Sequence, residues 1–160
     1  MQRVTLICVG KLKEKFYIDA AAEYQKRLSR YCRLDIIELP EEKLPQDPSP
    51  ALVEAALRRE AESIRAKLPP SSSLVALCVE GRQRSSEELA QLMAAWASRQ
   101  ENRLVFLIGG SFGLDPSIKA QAAASLSMSP MTFPHHLARV MLLEQIYRAY
   151  QINAGTRYHK

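Results

Sequence analysis

No run of apolar residues in this sequence approaches the ~18 that a membrane-spanning helix needs. The apolar stretch in MQRVTLICVG is too short for a signal h-region, and Lys11, Lys13 and Lys15 follow it at once, so a cytoplasmic location is expected. Cysteine is scarce. Cys8, Cys32 and Cys78 are odd in number, far apart and without C-x-x-C spacing, which implies neither a disulfide framework nor a zinc site. Cys8 and Cys78 lie inside apolar, strand-like runs and are expected to be small buried hydrophobes. Histidine is equally scarce. His135, His136 and His159 have no acidic or cysteine partners at ligand spacing, so no metal centre is expected. There is no internal repeat and no excess of negative charge. The 22 Lys+Arg against 17 Asp+Glu leave a net +5 and a pI of about 9.2, which permits nucleic-acid binding without proving it.

What is present is the balance of a globular protein, 47% hydrophobic and 24% charged. A length of 160 residues suits a single domain with a proper core, spanning residues 1–160. Residues 3–9 are a β-rich run closed by Gly10, and residues 34–39 a second one ended by Pro40. Between them, residues 11–30 carry Phe16, Ala20, Tyr24 and Leu28 at every fourth position, predicting a helix with that face buried. Residues 41–50, with three prolines among acids, read as a loop. Residues 51–68 predict a helix with Leu52, Ala56, Ile64 and Leu68 inward, stopped by Pro69-Pro70. A third strand at 74–79 and a Glu80-Gly81-Arg82 turn follow. A helix then opens at Ser85 with Glu88 three residues on, a pattern that satisfies orphan N–H groups. Strands alternating with helices at this spacing predict an α/β fold with a mostly parallel sheet and flanking helices.

The stretch from 104 to 150 organises the rest. It reads as a buried strand at 104–108, a glycine turn at Gly109, Gly110 and Gly113, and a short helix starting at Asp115-Pro116. A fifth extended piece is expected within 126–133, then a Pro134-His135-His136 junction and an apolar helix over 136–152. That last helix is apolar on nearly every face, which predicts burial against its own sheet on one side and against a second subunit on the other. Strand, glycine turn and helix together place a ligand at the carboxyl end of a parallel sheet.

These motifs occur together and in order. Gly10 to Phe16 read GKLKEKF; Leu107-Ile108-Gly109-Gly110 is followed by Gly113-Leu114; then come Met131-Thr132-Phe133-Pro134-His135, Arg139, Glu144-Gln145, Tyr147-Arg148-Ala149 and the terminal Tyr158-His159. Along essentially its whole length the chain resembles the ribosomal RNA large subunit methyltransferase H family of the SPOUT class. The resemblance implies a C-terminal deep trefoil knot, a homodimer, and methyl transfer from S-adenosylmethionine to N3 of a pseudouridine in 23S ribosomal RNA of assembled ribosomes. It also implies donor contacts at Leu77, Gly109 and a wrapping loop of Met128, Ser129, Pro130, Met131, Thr132 and Phe133. Pro130 lacks the N–H that such a loop would use.

Removing the N3 proton calls for a nearby base or a cation that stabilises the anion. His135, Arg139, Tyr158 and His159 are the candidate catalytic residues; Arg139 lies one helical turn from His135, so the two could face one pocket. The resemblance brings Tyr158 and His159 over a neighbouring subunit's site. His136, Tyr147 and Tyr150 are read as structural, and Lys11, Lys13, Lys15, Arg82, Arg84, Arg157 and Lys160 as candidate phosphate contacts. Neither DNA nor a membrane is an expected partner. The competing readings are a SPOUT methyltransferase acting on transfer RNA and a non-enzymatic RNA-binding module; a dinucleotide-binding oxidoreductase is disfavoured because the turn is G-G-x-x-G rather than G-x-G-x-x-G.

Overall fold

The computed structural model describes residues 1–99 and 102–160. Its strands are β1 (Gln2–Val9), β2 (Cys32–Leu39), β3 (Ser73–Leu77), β4 (Arg103–Ile108) and β5 (Ala124–Leu126). They form one sheet of order β2-β1-β4-β3-β5 in which every pair is parallel. Its helices are α1 (Lys15–Leu28), α2 (Pro50–Lys67), α3 (Ser86–Ala97), α4 (Pro116–Gln121) and α5 (His135–Asn153).

Period-2 alternation divides the apolar residues of each strand between two cores. Val4, Leu6 and Cys8 of β1, with Leu104, Phe106 and Ile108 of β4, face α1, α3 and α5. Ile7, Val9, Val105 and Leu107 face the other way, where Ala61 and Ile64 of α2 and Ile118 of α4 cover them. Register then aligns the strand ends: Glu38, Cys8, Ile108, Leu77 and Leu126 pair across the sheet in a single row. The loops that follow therefore leave the sheet at one level.

After β5 the chain runs tightly against the loop that follows β3. Cys78 N–H donates to Leu126 O and Ser127 N–H to Arg82 O, both at 3.0 Å. A Cβ on Gly81 would come within 3.0 Å of the Leu126 carbonyl carbon, so the close approach leaves no room for a side chain there. The chain then passes from the face covered by α4 to the face covered by α5.

Several boundaries differ from the sequence reading. Phe16 is 65% exposed, and the inward stripe of α1 is Tyr17, Ala21, Tyr24 and Leu28. A strict four-residue step drifts about 40° per step around a helix of 3.6 residues per turn, so the 16-20-24-28 series leaves the buried face. In α2, Leu52 is exposed, and Glu60 and Ala61 are buried beside the expected Ala56 and Ile64. Glu60 tolerates this because it accepts the Glu42 N–H at 2.9 Å. β3 stops at Leu77 and Cys78 is only half-buried. The fifth strand is Ala124–Leu126, earlier and shorter than the expected 126–133, since side-chain hydrogen bonds and Pro130 take the backbone out of the ladder.

The α3 start is as read. Ser85 Oγ accepts the Glu88 N–H at 3.1 Å and Glu88 returns to the Ser85 N–H at 2.7 Å. Ser85→Ala is expected to cost about 1 kcal/mol, measurable as a lowered denaturation midpoint with an unchanged slope. At α4, Pro116 fills the first position as expected, but the Asp115 carboxylate accepts the Ser117 hydroxyl at 3.0 Å instead of capping a backbone N–H.

Candidate active site

Beyond the aligned row of strand ends lies a cavity of about 670 Å3. Three segments wall it: Leu77 and residues 78–80 after β3, the turn 109–114 after β4, and residues 128–129 and 131–134 leading into α5. This volume lies within the range of small-molecule sites, and the lining is mostly apolar.

The glycine turn is a matter of space more than of φ. A Cβ on Gly109 would lie 2.3 Å from Gly113 O, which is backbone and cannot yield. The close approach lets Gly113 N–H bond Gly110 O at 3.0 Å, and Gly113 itself sits at φ +81°. Opposite, Ser127 Oγ lies 2.8 Å from Val79 O and 3.0 Å from Ser129 O. Ser129 Oγ accepts the Met131 N–H at 3.0 Å. The serine pair closes the loop around Pro130, so the missing proline N–H leaves no gap.

Of the expected donor contacts, Leu77, Gly109, Met128, Ser129, Met131, Thr132 and Phe133 all line this cavity; Pro130 does not. Sequence reasoning missed Phe112 at the wall and the Lys119–Glu80 ion pair, 2.5 Å long, that spans another side. The Lys119 hydrogen bond holds the Glu80 carboxyl below the usual range. No motif marks that pair, because its members are 39 positions apart.

His135 lines the cavity at the first turn of α5, stacked edge-on against His136 at 4.2 Å between centroids. Burial pushes its pKa below the ordinary histidine value, the neighbouring His136 and Arg139 side chains push the same way, and Glu41 opposes them. The ring is therefore neutral at pH 7, the form that can accept a proton.

Arg139 does not enter the cavity. Its side chain is 4% exposed, with Nη1 2.7 Å from Glu38 Oε2 and Nη2 3.1 Å from Gly10 O. Glu38 also accepts the Leu12 N–H at 3.1 Å. Partial burial pushes the Glu38 carboxyl up, but the Arg139 and Leu12 hydrogen bonds outweigh it and hold the pKa below the usual range. Arg139 thus ties the GKLKEKF segment to the helix that carries His135. Glu144, further along the same helix, binds Arg148 at 2.5 Å and accepts the Tyr158 hydroxyl at 3.2 Å.

Tyr158 and His159 lie away from this cavity. The Tyr158 ring sits under Arg148 at 4.8 Å, and His159 Nε2 is 2.7 Å from Glu87 Oε1. They flank a second cavity of about 540 Å3, lined by Ser86, Glu144 and Gln145 among others, which shares Met128 with the first. Within one chain the structure brings His135 to the expected donor residues and leaves Arg139, Tyr158 and His159 outside. Among the described residues no group of three or more His, Cys, Asp or Glu could hold a metal ion.

A parallel α/β sheet whose last strand and helix are tucked against a neighbouring loop, with a glycine-walled cavity at the tuck, defines the knotted α/β class of methyltransferases. Residues 2–159 match the family model described as predicted SPOUT methyltransferase. The ribosomal RNA large subunit methyltransferase H of Bifidobacterium adolescentis is 49% identical over 158 residues, 99% of either chain. That of Streptococcus equi subsp. zooepidemicus is 46% identical over 158 residues, again 99% of either chain. A crystal structure from Bordetella pertussis, described as a probable methyltransferase, superposes with a TM-score of 0.60 at 16% identity, over 93% of this chain and 95% of that one. It shares the fold. The chain belongs to the SPOUT methyltransferases and, within them, to the ribosomal RNA large subunit methyltransferase H family.

Proposed function

We propose that the cavity binds S-adenosylmethionine and that the enzyme methylates N3 of a pseudouridine in 23S ribosomal RNA, on assembled ribosomes and as a cytoplasmic homodimer. The observation that carries the reading is the cavity itself, with Leu77, Gly109, residues 128–129, residues 131–133 and the neutral His135 on one surface. Its fit to the donor is chemical as well as spatial. Apolar walls suit an adenine and a thioether, and Glu80 and Lys119 present opposite charges to an α-amino acid's two ends. The donor supplies an electrophilic methyl on a sulfonium: the N–C bond forms as the S–C bond breaks, and S-adenosylhomocysteine leaves.

The chain's own part is to position, exclude water and take one proton. Positioning can supply ~7–11 kcal/mol of such a barrier. His135 is the group placed to accept the N3 proton. Arg139 supports the wall on which His135 stands. Tyr158 and His159 are assigned to the site of a partner subunit, beside the tail's own chain. Lys11, Lys13 and Arg157 are exposed and suited to phosphate contact; Lys15 and Arg82 are also exposed but face Asp19 and Glu88. No described helix is long and apolar enough to cross a membrane.

The test is transfer of labelled methyl to ribosomes from cells lacking the protein, with protein-free ribosomal RNA alongside. Incorporation into ribosomes alone supports the full reading. Labelling of transfer RNA instead would replace the substrate, and failure to bind the donor in calorimetry would leave an RNA-binding module.

Cysteine chemistry offers a second check. Burial pushes the Cys8 thiol up to about 12 and that of Cys32 to about 11, and both are at most 2% exposed. Cys78 is half-buried on the cavity wall, its thiol also raised by burial. Iodoacetamide is expected to label Cys78 alone in the native protein, faster at pH 9 than at pH 7, and saturating donor should slow it several-fold. Labelling indifferent to donor would place the donor elsewhere.

A further inference from the structure

Glu41 follows Pro40 at the end of β2 and belongs to none of the motifs discussed above, yet it stands between the two working parts of the cavity. Its Oε1 accepts the Ser111 N–H at 2.7 Å, inside the glycine turn. A Cβ on Gly110 would strike the same oxygen at 2.6 Å, so the carboxylate occupies the room that glycine leaves. On its other side lies Gly10, at φ +106°. A Cβ there would meet His135 Nε2 at 3.3 Å and Glu41 Oε2 at 3.8 Å. The imidazole and the carboxylate therefore face one another across a position that carries no side chain.

We propose that Glu41 is a positioning residue of the methyl-transfer site: one carboxylate oxygen holds the glycine turn through the Ser111 N–H, while the other faces His135 across Gly10 and couples that turn to the histidine. The inference rests on the proposed function for its catalytic meaning, but its geometry does not. The charged groups around His135 are few. His136 and Arg139, from α5, oppose its protonation, and Glu41, from the loop after β2, is the one that favours it. Glu14 faces His136 instead, at 3.7 Å. A buried imidazole near the Arg139 guanidinium, with no facing carboxylate, would have too low a proton affinity to act as an effective base. A facing carboxylate restores part of that affinity and stabilises the imidazolium as the proton arrives.

Two substitutions separate the two roles. Glu41→Gln keeps an oxygen for the Ser111 N–H and removes the charge; Glu41→Ala removes both. In histidine-labelled full-length protein followed by NMR, the proton affinity of His135 is expected to fall about threefold to tenfold in either variant. Hydrogen exchange at the Ser111 amide is expected to stay slow in Glu41→Gln and to accelerate at least tenfold in Glu41→Ala. An unchanged His135 titration in both variants would overturn the coupling, and equal Ser111 exchange in all three proteins would overturn the hold on the turn. Neither readout needs RNA or donor. The pH–rate profile then separates the inference from the function: with His135 as base, its midpoint moves to lower pH in Glu41→Gln by the same interval as the titration. A moved titration beside an unmoved rate profile would support the coupling and remove His135 as the base.

Discussion

A Gly109→Ala variant is expected to bind S-adenosylmethionine about a hundredfold more weakly than wild type, roughly 3 kcal/mol, while keeping most of its fold. The methyl group would lie 2.3 Å from Gly113 O and 2.4 Å from its carbonyl carbon. Both are backbone atoms on the facing arm of the turn, so relief comes only from opening the turn and losing the Gly113 N–H bond to Gly110 O. That turn is a cavity wall, so the strain falls on the binding surface rather than on the sheet beneath it. Gly113→Ala makes a useful contrast. Nothing lies within 4 Å of the Cβ it would add, and only its φ of +81° is unfavourable. Its cost is about 1–2 kcal/mol of backbone strain, with a smaller loss of affinity. Calorimetry on the two variants distinguishes them. Equal and slight losses would mean that the donor does not rest on the turn.

Glu38→Ala is expected to destabilise the protein by about 3–5 kcal/mol, because it leaves the Arg139 guanidinium buried without a counter-charge. The reverse change costs less. The Glu38 side chain is 34% exposed, so water reaches its carboxylate once Arg139 is gone. Replacing both, Glu38 by Ala and Arg139 by Met, should recover much of the loss, since it removes the stranded charge together with its partner. Denaturant unfolding of the three variants gives the ordering, and a Glu38→Ala variant as stable as wild type would refute the brace. The pH dependence follows from the same pair. Glu38 titrates lower in the folded protein than in the unfolded chain, where carboxyls titrate near 4.3, so folding binds fewer protons in that range. The stability it contributes is fully present above about pH 5 and is lost as the pH falls through the folded value. Glu38→Gln should flatten that acid limb.

Individual residues show how far the site was legible. The glycine turn at Gly109 was readable because a glycine pair after a buried strand marks a close backbone approach at the carboxyl end of a parallel sheet, whereas Leu77 and the 128–133 loop were singled out only by the family resemblance. His135 was readable as a polar residue at a helix start beside that loop. Arg139 was placed on the right helix, but its partner was not readable: Glu38 lies 101 positions away, and only the packing of α5 over β1 and β2 brings them together. Glu41 was read as one acid of a proline-rich loop, since nothing in its neighbours reports that Gly10, Gly110 and His135 converge on it.

By itself the sequence determined the alternation of strands and helices, the mostly parallel sheet, the burial of β4, and the family. These follow from periodicity and turn chemistry, which act over a few residues, and from motifs kept in order. Only the tertiary structure decided where the fifth strand ends, which stripe of α1 faces inward, that Arg139 braces rather than touches the cavity, and that Tyr158 and His159 dock beside a different one. Those outcomes depend on strand register and on which chain segments compete for the same buried hydrogen bonds. Contacts between residues a hundred positions apart leave no periodic trace in the chain that makes them.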